Sequence, residues 1–174
     1  MGLSDEIRQC TKCIDLGLAG ADRLNVHEKP YAEFDVEKKW KPDKVNVLFV
    51  AESPPWNGKQ SYFYNPNRDQ TGLRAEVLKY LGLGSLEDFR DKKGYFLIDT
   101  IKCRLNKSNK KNVPSLVTRT CATQFLHREI VDLEPKTIFV LGKTAKQALE
   151  EFPELQPLKK HLSLPASPFL LQLA

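Results

Sequence analysis

No stretch of this 174-residue chain approaches the roughly 20 consecutive apolar residues that a bilayer span requires. The N-terminus, MGLSDEIRQC, lacks the features of a leader: acidic residues stand where a signal peptide is basic, and no apolar segment follows. These absences predict a cytoplasmic protein that makes no membrane contact and keeps its thiols reduced. Internal repeats and low-complexity tracts are missing too, and the length suits one domain, residues 1–174, able to close its own core as a monomer. Cysteine is scarce: there are four, and no fifth is left over.

What is present fits a globular chain, with 41% hydrophobic and 28% charged residues and a net charge of +5. That charge is compatible with a polyanionic partner such as DNA, and its distribution says more than its sum. Arg104, Lys107, Lys110 and Lys111 crowd the Asn/Ser-rich stretch CRLNKSNKKNVP, which reads as a loop. Such a loop either neutralises phosphates or is simply solvated.

Three runs read as buried strands: VNVLFVAES at 45–53, GYFLIDTIK at 94–102 and KTIFVLG at 136–142. Between them, LRAEVLKYLGL at 73–83 and VPSLVTRTCATQFLHREIVDL at 113–133 carry helical spacing, the second opened by Pro114. TAKQALEEF makes a further helix after the third strand. Residues 4–18 predict a short helix with Cys10 and Cys13 facing alike, and 19–44 an irregular connection with an edge strand near Val26. Alternation of this kind implies βαβ crossovers, a mostly parallel sheet with helices on both faces, and a ligand site beyond the carboxyl ends of the strands.

The cysteines divide into a Cys10-x-x-Cys13 pair and two singles, Cys103 and Cys121, which ordinary packing can bring beside the N-terminal helix. A thioredoxin-type pair would follow a first strand, and this one precedes any strand. The spacing points to a metal site of four thiolates, zinc or iron–sulfur, against inert buried thiols as the alternative. Zinc sites more often use two CxxC knuckles, which leans the choice towards iron–sulfur.

The order of motifs resembles the iron–sulfur family 4 uracil-DNA glycosylases of bacteria and archaea. CTKC stands at the N-terminus. VLFVAESPP occupies the place of a hydrophobic strand and G-E-x-P-G loop, and IDTIKCR that of T-N-x-x-K-C-R. A second single cysteine and LEPKTIFVLGKTA, for P-K-x-I-x-x-L-G-x-x-A, then follow. The resemblance implies a three-layer α/β/α domain with a central, mostly parallel four-stranded sheet. It also implies a 4Fe-4S cluster on Cys10, Cys13, Cys103 and Cys121, and base excision from a nucleotide flipped out of DNA. By position it assigns Glu52 to the water that attacks the sugar, and Phe63, with Tyr62 and Tyr64 as alternates, to stacking on the base. The bland alternatives are a strand-end carboxylate and core aromatics.

Departures from the pattern bear on the substrate. Asp99 stands where the family has a uracil-reading Asn, and a carboxylate only accepts hydrogen bonds unless it is protonated. Uracil should then be read poorly, and either an exocyclic amino group is preferred or Asp99 donates as the neutral acid. The C-terminal His-Pro-Ser motif is matched by LPASPF, with Leu164 in place of the histidine and Ser167 retained. His161 is a substitute three residues earlier, or a surface residue. Ala51 and Pro55 replace two glycines of the first loop. The reading is therefore a glycosylase of altered base preference, with a catalytically silent nucleic-acid-binding module as its alternative.

Overall fold

A computed structural model describes residues 2–56, 62–67, 72–106 and 113–161 of the chain. In chain order the elements are α1 (Leu3–Gln9), α2 (Lys12–Asp15), β1 (Leu24–Asn25), α3 (Pro30–Glu33), α4 (Val36–Trp40), β2 (Val47–Ala51) and α5 (Gly72–Leu81). β3 (Tyr95–Asp99), β4 (Arg104–Leu105), α6 (Ser115–Cys121), α7 (His127–Leu133), β5 (Thr137–Val140), α8 (Lys143–Glu150) and β6 (Lys159–His161) follow.

The sheet is built on three parallel strands in the order β3, β2, β5, with Phe49 of β2 level with Leu97 and Phe139. The three-residue β6 pairs in parallel along the outer edge of β5. Leu48, Phe49 and Val50 are fully buried, as an unbroken apolar run must be when both faces of its strand are covered. Phe49 anchors an aromatic cluster, with the rings of Phe89, Tyr95 and Phe139 centred 5.5, 5.6 and 5.5 Å away. Truncating such a residue to alanine costs about 3–5 kcal/mol.

Crossovers between parallel strands are right-handed. The step from β2 through α5 to β3 runs one way along the sheet. The steps from β3 through α6 and α7 to β5, and from β5 through α8 to β6, run the other way. Thus α5 covers one face and α6 to α8 the opposite one, where α8 packs on α6 and β2. The connections leaving the neighbours β2 and β5 depart to opposite faces, the topology at whose strand carboxyl ends ligands bind in sheets of this kind.

Several elements differ from the sequence reading. The N-terminal helix is two pieces, because Cys10 is extended (φ −67°, ψ 126°) and breaks the hydrogen-bond ladder between α1 and α2. The 113–133 helix runs as α6, a wider turn over Ala122–Leu126, and α7. The connection over 19–44 holds α3 and α4, and its edge strand is Leu24–Asn25, paired antiparallel with Arg104–Leu105. Gly94 (φ +62°) starts β3 at a point where a Cβ would meet Lys44 O at 2.7 Å, so only glycine fits. Among the described residues no helix is long and apolar enough to cross a membrane.

Candidate active site and cysteine cradle

The carboxyl ends of β2 and β3 are stitched together by the chain that follows them. Thr100 donates to Ala51 O from both its amide and its hydroxyl, each at 2.8 Å, and Ile101 N donates to Glu52 O at 2.9 Å. β5 is tied in on the other side by Leu141 N donating to Val50 O at 2.8 Å. Glu52 is thereby fixed one residue beyond β2, at the end of the sheet where the topology places a ligand site. Its Oε2 accepts from Thr144 Oγ1 at 2.5 Å. Thr144 is the second residue of α8, and Gly142, at φ 88°, turns the chain from β5 into that helix. A carboxylate there also gains from the positive end of the helix dipole.

Asp99 ends β3 directly beside Ala51 and is only 6% exposed. Burial pushes its carboxyl up to about 7; Lys102 and Arg104 draw it down, while Glu129 and Glu52 push it further up. Lys102 explains much of this balance. Its Nζ donates to Asp99 O at 2.5 Å, pairs with the Glu129 carboxylate and lies 5.7 Å from the centre of the Tyr31 ring. Lys102 and Glu129 are each 2% exposed, and burial raises the Glu129 carboxyl as well. The site thus holds two carboxyl groups in different surroundings. One is bonded at a helix start, and the other is dry enough to carry a proton near neutrality. Such an arrangement can orient a nucleophile with one group and donate a hydrogen bond with the other.

The remaining expected site residues divide. Tyr62 is 2% exposed and stacks on Phe34 at 5.5 Å; Asp99 is near enough to help burial hold its hydroxyl protonated. Phe63 is 3% exposed and lies in the main core, edge-on to Tyr64 (4.9 Å) and Phe89 (5.5 Å). Arg104 requires a correction. Expected on a phosphate-binding loop, it is 1% exposed, with Nε 2.7 Å from Glu28 Oε2 and Nη1 donating to Pro55 O at 2.6 Å. Its charge is consumed inside the protein, because β4 lies in the ribbon with β1 and not in a loop. The backbone of His161 ends β6. Lys107, Lys110, Lys111, Leu164 and Ser167 lie outside the described residues.

Sequence reasoning missed Thr144, Lys102 and Glu129. The first is the second residue of α8, and nothing along the chain pairs its hydroxyl with Glu52, 92 residues earlier. Lys102 lies within the IDTIKCR motif but nothing there marks it as buried, and Glu129 gave no signal, since both belong to a residue class that is almost always solvated.

The four cysteines come from the end of α1, from α2, from the segment between β3 and β4, and from the end of α6. Cys103 and Cys121 are buried, and Cys10 and Cys13 partly so. Burial raises Cys13, with Cys10 adding to it; burial pushes Cys103 up to about 12, with Cys10 and Cys13 adding; burial raises Cys121, with Cys103 and Cys13 adding. Opposing this, Lys29 favours the Cys103 thiolate and Lys102 that of Cys121, while Lys102 N donates to Cys121 Sγ at 3.4 Å. Lys29 is itself 4% exposed, and its Nζ donates to Arg8 O at 3.2 Å. Among the described residues no three His, Cys, Asp or Glu side chains are grouped to hold a metal ion. A single zinc ion needs its thiolates all within about 2.3 Å of one point. Four thiols are the usual donor set of an iron–sulfur cluster.

Residues 38–168 match the family model described as UDG, Uracil DNA glycosylase superfamily. Among curated proteins none matches the chain.

Proposed function

The chain belongs to the uracil DNA glycosylase superfamily, and from that premise we propose that it is a DNA glycosylase of base excision repair whose base preference is shifted from uracil. A damaged or deaminated nucleotide is flipped from DNA into a site at the carboxyl ends of β2, β3 and β5, and its N-glycosidic bond is hydrolysed. Glu52, steadied by the Thr144 hydroxyl, orients water towards the sugar and faces the positive charge that develops as the bond breaks. Asp99 reads the base edge. The observation that carries the proposal is the placement of Glu52 and Asp99 on adjacent strand ends, close enough for the charge of one to act on the other.

The form of Asp99 decides the substrate class. As the neutral acid it donates to a ring carbonyl, and as the carboxylate it accepts from an exocyclic amino group. A base-release assay on oligonucleotides carrying uracil, hypoxanthine, xanthine, cytosine and alkylated bases tests the proposal. Release from at least one of them, abolished by Glu52→Gln, is the expected result. No release from any would leave a protein that binds DNA without cleaving it.

Cys10, Cys13, Cys103 and Cys121 would hold a 4Fe-4S cluster, which would supply a structural cross-link between the N-terminal helices and the segment that follows Asp99. The buried Lys29 and Lys102 support this reading, since four thiolates gathered in a dry place need positive charge beside them. Lys107, Lys110 and Lys111 are proposed to contact DNA phosphates.

A further inference from the structure

Arg104 was the residue whose position departed furthest from expectation, and where it lies has a mechanical meaning. The loop that carries Glu52 continues through Pro54 and Pro55. Two consecutive prolines have no N–H to offer and fix their own φ, so this loop is stiff but nearly without donors to fasten itself. Fastening must come from donors elsewhere. At one end Ile101 N holds Glu52 O at 2.9 Å. At the other, Arg104 Nη1 donates to Pro55 O at 2.6 Å, and Pro55 runs beside Leu105 as an isolated bridge.

The guanidinium is itself held. Glu28 Oε2 lies 2.7 Å from Nε, and Arg104 N donates to Glu28 O at 3.3 Å. Glu28 in turn accepts from Asn25 Nδ2 at 3.0 Å, and Asn25 is the strand partner of Arg104. One buried side chain therefore links the ribbon of β1 and β4 to the loop that begins at Glu52. The planar fork of arginine suits the task, because Nη1 donates to the carbonyl while Nε lies in ion-pair contact with the carboxylate. A lysine offers one point of charge and cannot span both.

We infer that Arg104 is a positioning residue: braced by Glu28, it clamps Pro55 and thereby fixes Glu52 for its work on the flipped nucleotide. The inference rests on the base-excision reading for its consequence in catalysis, but the clamp itself is a property of the loop and is measurable without substrate. The charge of Arg104 also acts on Asp99, so the clamp lies beneath both carboxyl groups of the site.

The test compares Arg104→Met, Arg104→Lys and Glu28→Gln with the wild type by amide hydrogen exchange over peptides within residues 48–56, and by kcat and KM for base release. Loss of the clamp should speed exchange at Glu52, Ser53 and Trp56 by about tenfold or more, with the β2 amides still protected. It should also lower kcat by about 10- to 100-fold, the usual effect of a small misplacement, with KM changed by less than about twofold. Arg104→Lys should fall between. Glu28→Gln keeps the arginine and removes its brace at a partly exposed position, so it answers the question even where Arg104→Met does not fold, with exchange raised about threefold. Unchanged exchange at Glu52, Ser53 and Trp56 overturns the clamp. So does a rise in KM at constant kcat, which would return Arg104 to DNA binding. Faster exchange in variants of a protein that releases no base supports the clamp and sinks the base-excision reading alone.

Discussion

Asp99 gives the sharpest quantitative expectation. Its carboxyl ordinarily titrates at 3.8, and burial in the folded protein moves it to about 7. Between those values the native state keeps a proton that the unfolded chain releases. The contribution of Asp99 to stability is therefore complete below about pH 4, falls as pH rises to about 7, and is constant above. At ~1.4 kcal/mol for each factor of ten in the proton equilibrium, the gap amounts to about 4 kcal/mol. Asp99→Asn removes the titration while keeping the shape. The urea stability of wild type minus that of Asp99→Asn should therefore fall by about 2–4 kcal/mol between pH 4.5 and 8. Taking the difference cancels groups that are distant from Asp99 and titrate alike in both proteins. The same proton governs activity. Release of a base read through a ring carbonyl should rise below pH 7 in the wild type and lose that dependence in Asp99→Asn, which should gain about 1–3 kcal/mol of preference for uracil. Parallel stability curves for the two proteins would refute the reasoning, because they would mean that Asp99 is ionised and solvated at neutral pH.

Three further outcomes are expected. Protein purified in air should be brown, with a broad visible absorbance and about four irons per chain, and Cys103→Ser should lose solubility as well as colour; a colourless protein with one zinc would overturn the cluster. Removing one partner of the buried pair, by Lys102→Met or Glu129→Leu, should cost about 3–5 kcal/mol in urea unfolding, and the double variant should recover much of it. If the two single effects simply add, the residues do not act as a pair. Neutralising Lys107, Lys110 and Lys111 should reduce the slope of log K against log salt for DNA binding by about 1 for each phosphate that a lysine no longer neutralises, whereas an unchanged slope would mark the loop as merely solvated.

The strands were the most legible part of the fold. Runs such as VLFVA and YFLID are apolar without interruption, and their free energy is lowest when both faces of a strand are covered, whatever the rest of the protein does. Their alternation with helices implied a parallel sheet through the handedness of crossovers, and with it the end of the sheet at which Glu52 and Asp99 stand. Helix boundaries were less legible. The break at Cys10 and the wide turn after Cys121 interrupt stretches whose local propensity is helical throughout.

What the sequence by itself determined is the superfamily and the main elements: residue order sets secondary structure through periodicity, and the superfamily through motifs that need only be read in line. Tertiary structure alone decided which charges are inside. Lys102, Glu129 and Arg104 carry side chains that water ordinarily keeps, and nothing in their neighbours along the chain foretells burial. Each is buried because residues distant in sequence meet it: Glu129 comes from α7 to Lys102, and Glu28 and Pro55 come from opposite sides to Arg104. A charge leaves water only when its partners already wait in the right geometry, and that geometry exists only in the folded chain.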